Sequence, residues 1–250
     1  MRAFHHDFYG ADHALLSAVG DFDAAALAKL AGDLLGDWKS PAPYVRLADP
    51  YQAVKAGEEL IETPDKANAI FLAGLPLQMQ DTAPEFPALV MANYMLGGGS
   101  LSNRIADRLR RKDGFSYGAG SGLSASSWEP NSTWNAYAIY APQNRAKLAA
   151  AFREEMDRAI KEGFTAAELK DGRDGWLKNR IVRRGSDSFL AGRMADDLPL
   201  SRSFAWDAQI EEKIGAVTLE QTNAALRKWI DPANLVSIYA GDFAGAEKKK

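Results

Sequence analysis

The stretch Gly97–Gly122 reads GGGSLSNRIADRLRRKDGFSYGAGSG. It runs from the end of one predicted helix through a second predicted helix into a predicted strand. Its three consecutive glycines are expected to end the preceding helix, because glycine is unfavourable inside helices and favoured just beyond them. Ser100 is a candidate N-cap for a second helix that continues to about Lys112. From Phe115 the sequence has the pattern of a strand. The stretch therefore predicts a helix end, a sharp turn, a second helix and a strand.

The second helix carries an apolar stripe and four arginines. The stripe, which is expected to face the core, consists of Leu101, Ile105 and Leu109. Three arginines fall together beside it: Arg104, Arg108 and Arg111. Arg110 points away from them, near Asp107. A surface ion pair between Asp107 and Arg110 is one interpretation, and a binding role for Arg110 is the other.

Hydrophobic periodicity and turn residues predict the elements around this stretch. The predicted strands are Glu58–Thr63, Lys66–Leu75, Phe115–Ser126, Thr133–Ala141 and an apolar run that ends at Ala244. The predicted helices are Asp23–Leu35, Glu85–Leu96, Arg145–Glu162, Ala166 to about Arg193, Ala205–Ile214 and Leu219–Trp229. Thr165 and Thr218 are candidate N-caps, and Glu168 completes a capping box with Thr165. This order predicts an α+β fold, with an antiparallel sheet and helices packed on one face.

Two distant segments of the chain resemble each other. ALLSAVGDFD (Ala14–Asp23) and NLVSIYAGDFA (Asn234–Ala244) are apolar runs with the same Gly-Asp-Phe ending. Both are predicted buried strands, and repeats at long spacing indicate duplicated units, although two unrelated strands are the alternative. On the duplication interpretation, residues 1–40 are a strand and helix from the tail of a preceding domain. Residues 41–57 are then a linker, 58–244 a complete domain and 245–250 a charged tail.

Composition restricts the class of protein. The 250 residues are 46% hydrophobic and 25% charged, with a formal net charge of −3, so no bulk attraction to nucleic acid or anionic lipid is expected. There is no cysteine, which excludes disulfides, thiolate metal sites and cysteine nucleophiles. No apolar run reaches the ~18 residues of a membrane span. The N-terminus lacks the apolar core of a signal peptide, and both a periplasmic and a cytoplasmic location stay open.

Several common site motifs are missing from the sequence. His5, His6 and His13 are the only histidines, and neither H-E-x-x-H nor H-x-x-E-H occurs, so no catalytic metal site is expected in this chain. The glycines before Ser100 lack the lysine of a phosphate-binding loop, and no G-x-S-x-G marks a nucleophilic serine. The basic helix could contact RNA phosphates, but one short stripe is a weak basis for a nucleic-acid module.

The Gly97–Gly122 stretch resembles the glycine-rich turn, helix and strand of the insulinase/pitrilysin-type metallopeptidases, the inverted zincins. That family includes the mitochondrial processing peptidases and the core subunits of respiratory complex III. The Gly-Asp-Phe endings, a predicted hairpin start at Pro64-Asp65-Lys66 and the W-x-D-P-x-N-L pattern at Trp229–Leu235 fit the same resemblance. It implies duplicated α+β domains whose two halves close like a clamshell around a peptide. One half binds zinc through H-x-x-E-H, and the other supplies substrate contacts.

The resemblance also implies roles for particular residues. Arg110 would hold a substrate carbonyl or carboxylate, and Tyr117 would donate a hydrogen bond to the substrate, including its developing oxyanion. The glycines Gly97, Gly98 and Gly99 match, in shorter form, a loop that helps to recognise peptides. Because H-x-x-E-H is absent, zinc would be bound upstream in the same polypeptide or on a partner subunit, and this chain alone would be inactive. The alternative that the resemblance implies is a catalytically inert structural subunit.

Overall fold

The computed structural model describes residues 1–99 and 102–248. Over this part of the chain the strands are β1 (Gly57–Glu62), β2 (Ala69–Leu77), β3 (Ser116–Ser124), β4 (Ser132–Tyr140) and β5 (Val236–Gly241). The helices are α1 (Arg2–Phe8), α2 (Ala24–Leu35), α3 (Phe86–Asn93), α4 (Arg104–Ala106), α5 (Arg145–Glu162), α6 (Ala166–Arg183), α7 (Asp187–Asp197), α8 (Phe204–Ala216), α9 (Leu219–Trp229) and α10 (Phe243–Lys248). These elements confirm the predicted α+β fold class.

The chain divides into two compact units. The smaller unit comprises Met1–Ala48 and Asn179–Ala208, and the larger comprises Asp49–Lys178 and the described residues from Gln209 onward. The larger unit contains the sheet and the candidate site residues Arg110 and Tyr117. Among the described helices, none combines the length and the apolar content that crossing a membrane requires.

The five strands form one sheet in the order β1-β5-β2-β4-β3. Neighbouring strands from β5 to β3 pair antiparallel, as predicted, but β1 pairs parallel with β5. The sheet is therefore mixed, and the turn at Pro64-Asp65 does not close a hairpin, because β5 lies between β1 and β2. Asp65 does adopt the left-handed turn conformation, with φ of 63°. The position of β5 between β1 and β2 depends on pairing between distant segments, and no local sequence pattern predicts it.

Alternation along β2 and β4 gives the sheet one buried and one open face. Every second residue of β4, from Ser132 to Tyr140, is buried. On the buried face the Phe71 ring packs 4.8 Å from the Phe152 ring of α5. The open face carries Ile70 opposite Ile139 and Leu72 opposite Tyr137. These four side chains are 38–43% exposed, so an apolar patch remains uncovered in the larger unit.

Two predicted helices have different boundaries in the structure. Ser100 and Leu101, the predicted N-cap and first stripe residue, lie outside the described residues. The helix begins at Arg104, because the Asn103 carboxamide oxygen accepts the Ala106 N–H at 2.8 Å and acts as the N-cap. The helix predicted from Ala166 to Arg193 is divided into α6 and α7 by a turn around Gly185, after which Ser186 caps α7.

The predicted strand at the start of the chain is not formed. Residues 14–19 are neither helix nor strand, and no described strand pairs with them. Leu15 and Leu16 are 49% and 62% exposed. The similar segment near the C-terminus is β5, which has a neighbour on each side. A strand needs such hydrogen-bonded neighbours, whereas α2 bonds internally and forms as predicted, with Asp23 as N-cap.

Both predicted capping residues make their bonds. The Thr218 hydroxyl accepts the Gln221 N–H at 3.1 Å, and the Gln221 side chain accepts the Thr218 N–H at 2.9 Å. We expect Thr218→Ala to lower the free energy of unfolding by ~1 kcal/mol, because the first turn of α9 loses a hydrogen-bond acceptor. Urea denaturation measures this change, and an unaltered midpoint would contradict it.

Candidate functional site

Arg110 lies in Asp107–Lys112, a π-helical turn that continues α4. The Asp113 N–H donates to the Arg108 carbonyl at 3.2 Å, five residues back, which sets the wider turn. Leu109 is fully buried and anchors the turn in the core, while Arg110 beside it is exposed. Such π-helical segments inside helices are frequent at functional sites.

The arginines of this helix differ in their partners. Asp107 pairs with Arg111, so the alternative ion pair between Asp107 and Arg110 is not formed. Arg108 is held by Glu154, with 2.7 Å between the guanidinium and the carboxylate. Among the described residues, no hydrogen bond or ion pair holds the Arg110 guanidinium. Its N–H groups are therefore available to a ligand.

Tyr117 is the extra residue of a β-bulge at the start of β3. Ser116 pairs with Tyr140 and Gly118 with Ile139, so Tyr117 has no opposite residue on β4. Its side chain is 67% exposed. No hydrogen bond to its hydroxyl is present within residues 1–99 and 102–248. A bulge re-aims a side chain, and bulges are common beside active sites.

One hydrogen bond ties the Arg110 turn to the Tyr117 strand. The Phe115 N–H donates to the Leu109 carbonyl at 2.9 Å. Gly114, with φ of 66°, allows the reversal between them. The backbone beside Arg110 and the backbone two residues before Tyr117 are therefore in direct contact.

The glycine turn packs against the same strand. Gly97 and Gly98 end a second π-helical turn, in which the Gly99 N–H donates to the Tyr94 carbonyl at 2.7 Å. A Cβ added at Gly97 would lie 2.5 Å from the Ser121 amide nitrogen, so only glycine allows this approach to β3. Gly97 and Gly99 are buried, whereas Gly98 is exposed. The close approach to β3 is thus a sufficient reason for glycine at position 97. Of the three glycines, only Gly98 exposes its backbone to a possible ligand.

Asn93 connects the glycine turn to the sheet and was not found from the sequence. Its side-chain oxygen accepts the Ser121 hydroxyl at 2.7 Å and the Trp134 indole N–H at 2.9 Å. Trp134 is fully buried and needs such a partner for its N–H. Nothing in the sequence indicates this role, because the two donors come from β3 and β4.

Arg104 holds the start of α4 against α6. Its Nε and Nη2 donate to the two Glu168 carboxylate oxygens at 2.7 and 2.9 Å, and Nη2 also donates to the Gly163 carbonyl at 2.7 Å. Burial alone would raise the pKa of Glu168. Hydrogen bonds from Arg104 and from the backbone and hydroxyl of Thr165 outweigh burial and lower this pKa to about 2. The ion pair therefore stays charged near neutral pH and fixes the helix that carries Arg110.

The histidines are engaged with aromatic and acidic neighbours in the smaller unit. The His5 ring stacks on Tyr9 and Trp38, with centroids 5.0 and 5.6 Å apart. The His13 ring lies 4.6 Å from the Tyr44 ring. In the described part of the chain, no three histidine, aspartate or glutamate side chains form a group that could hold a metal ion. The described residues therefore do not fit a resident zinc.

Three of the solved structures similar to this chain carry the name of a bacterial peptidase or protease. The chain matches a peptidase M16 inactive domain from Pseudomonas fluorescens with a TM-score of 0.73 and 19% identity, over 89% of this chain and 52% of that one. It matches a protease from Helicobacter pylori with a TM-score of 0.72 and 16% identity, over 89% of this chain and 54% of that one. It matches the first half of the periplasmic protease PqqL from Escherichia coli with a TM-score of 0.66 and 17% identity, over 92% of this chain and 52% of that one.

These likenesses define the class of protein as an α+β domain with a peptidase fold. The sequence profile of the Peptidase M16 inactive domain matches residues 1–175, and the chain belongs to that family. Membership confirms the family predicted from Gly97–Gly122. The chain spans about half the length of the three solved structures above. No curated protein matches it at a significant level.

Proposed function

We propose that this domain is the substrate-holding, non-catalytic part of a zinc-dependent metalloendopeptidase. The main supporting observation is the pair Arg110 and Tyr117, two exposed side chains without partners among the described residues. The hydrogen bond from the Phe115 N–H to the Leu109 carbonyl joins the segments that carry them. The zinc and its activated water would belong to a half that lies upstream or on a partner subunit. This domain would close a chamber over the peptide.

The two side chains offer different chemistry to a bound peptide. A guanidinium can donate two parallel hydrogen bonds to a carboxylate, or a single one to a carbonyl. A tyrosine hydroxyl can donate to the carbonyl oxygen that gains negative charge when water attacks. In this proposal Arg110 holds the peptide and Tyr117 stabilises the transition state. Gly98 adds exposed backbone groups, while Gly97 holds the turn against β3 and Gly99 is buried.

The open face of the sheet supports an extended peptide as the ligand. Its apolar side chains are exposed, and Ile139 lies directly opposite Gly118, the residue after Tyr117. Exposed apolar patches on folded domains commonly mark binding surfaces. Apolar substrate side chains would contact Ile70, Leu72 and Ile139, while the substrate backbone reaches Arg110 and Tyr117.

Residues 1–40 would belong to the end of a preceding domain. Residues 14–20 have the sequence pattern of β5 but no strand beside them within the described part of the chain, and Leu15 and Leu16 are exposed. In this proposal the segment becomes a strand when the sheet of the upstream half is present. Residues 41–57 would then connect the two domains.

The test measures zinc content and peptidase activity together, with a quenched peptide. We expect this chain alone to be metal-free and inactive, because it lacks H-x-x-E-H. With the upstream or partner half added, we expect bound zinc and cleavage. Zinc bound to this chain alone, or cleavage by it, would contradict the proposed division of roles.

A catalytically inert interaction subunit is the second candidate, and β1 favours it. All six residues of β1 are exposed, and the strand lies at one edge of the sheet. Such an edge readily pairs with another chain. If the two halves associate but bind no zinc and cleave no peptide, this candidate replaces the first.

A further inference from the structure

We propose that Ser116 is a positioning residue that holds the β-bulge from which Tyr117 projects. This inference rests on the proposed function, in which Tyr117 contacts the substrate. Ser116 itself is only 7% exposed. It can therefore affect the substrate only through its exposed neighbour.

The Ser116 hydroxyl bridges the backbone of Gly118, which follows Tyr117, and the backbone of Ile139 on the partner strand. Its oxygen accepts the Gly118 N–H at 3.2 Å. The same oxygen lies 2.8 Å from the carbonyl oxygens of Gly118 and Ile139, and it donates its single proton to one of them at a time. Gly118 follows the bulged residue and Ile139 lies on the partner strand. One side chain thus joins both strands around the unpaired position.

These bonds lie at the point where the bulge shifts the register between β3 and β4. A bulge leaves its extra residue unpaired, and a buried backbone group without a partner is unfavourable. Alanine at position 116 would remove the bridge and leave the bulge free to relax. A full slip of β3 would turn its side chains to the other face, and the tight contact between Gly97 and Ser121 opposes such a slip. The expected relaxation is therefore local and redirects Tyr117.

Ser132 provides a matched control in the same sheet. It is 1% exposed, accepts the Ser126 N–H at 3.0 Å and donates to the Met79 carbonyl at 2.7 Å. It lies at the opposite end of β4 from Tyr140, the residue that Ser116 faces, roughly 26 Å away along the strand. Ser132→Ala thus removes the same kind of buried hydroxyl far from the bulge.

The kinetic test uses the complete two-half protein and a quenched peptide. We expect Ser116→Ala to lower kcat by about tenfold with little change in KM, because the affected contact forms in the transition state. Ser132→Ala should leave kcat unchanged. In a Tyr117→Phe background, Ser116→Ala should cause no further loss, because the hydroxyl that it positions is already absent. Equal losses in both backgrounds, or an equal loss in Ser132→Ala, would overturn the proposal.

Amide hydrogen exchange separates this inference from the proposed function. We expect the Gly118 amide to exchange faster in Ser116→Ala and to stay protected in Ser132→Ala. Unchanged protection in Ser116→Ala would overturn the role of Ser116 at the bulge, whatever the activity. If exchange is faster but Tyr117→Phe keeps the wild-type rate, the proposed function fails. The positioning role falls with it, and Ser116 is then only a stabiliser of the bulge.

Discussion

Tyr117→Phe and Arg110→Ala are each expected to lower the kcat/KM of the complete two-half enzyme by ~10² or more, because Tyr117→Phe removes a transition-state donor and Arg110→Ala removes a charged hydrogen bond to the peptide. Phenylalanine keeps the ring and removes only the hydroxyl. Alanine at position 110 removes a guanidinium that no described residue holds. Since both side chains are exposed, neither change leaves a buried group unpaired, and the fold should remain intact.

Steady-state kinetics on a quenched peptide measure these effects, and urea denaturation checks the fold. Arg111→Ala is the matched control, because Arg111 is an exposed arginine on the same turn that pairs with Asp107. It should stay within about twofold of the wild-type rate, as surface substitutions usually have small effects. Wild-type turnover in both test variants would show that Arg110 and Tyr117 do not contact the reacting peptide.

The sequence was sufficient to predict most elements of the fold, because their periodicity is local. Alternation identified β4, and Thr218 as a candidate N-cap identified the start of α9. It predicted β5 as a strand but not its position in the sheet, between β1 and β2. It also predicted a strand at Ala14–Asp23, since an apolar run carries no information about whether a neighbouring strand is present.

For the candidate site, too, the sequence indicated the residues but not their geometry. Resemblance of Gly97–Gly122 to a family indicated Arg110 and Tyr117, but their geometry depends on contacts between distant segments. Whether Asp107 pairs with Arg110 or Arg111 depends on the wider π-helical turn, because three-residue and four-residue spacings are both favourable in an α-helix. The bulge at Tyr117 depends on pairing with β4, and a bulge has no reliable local signature.

Breaking the ion pair between Arg104 and Glu168 is expected to have a large effect on the stability of the domain. The two side chains are 10% and 33% exposed. Glu168→Gln should lower the free energy of unfolding by about 3 kcal/mol at pH 7, because it leaves a largely buried guanidinium without its counter-charge. Glu162→Gln is the control: its carboxylate is 59% exposed and 4.0 Å from Arg158, and its removal should cost less than about 1 kcal/mol.

The pH dependence of stability tests the same pair independently. The pKa of Glu168 falls from 4.5 to about 2 on folding, so its contribution is fully present above pH 4.5 and is lost as the pH falls through 2. Urea midpoints of the wild type and Glu168→Gln should therefore converge as the pH is lowered across this range. A constant difference would show that the ionised carboxylate is not the stabilising group. Because Arg104 begins the helix that carries Arg110, loss of this pair should also speed amide exchange in Asp107–Lys112, which links the stability of the domain to its proposed substrate contact.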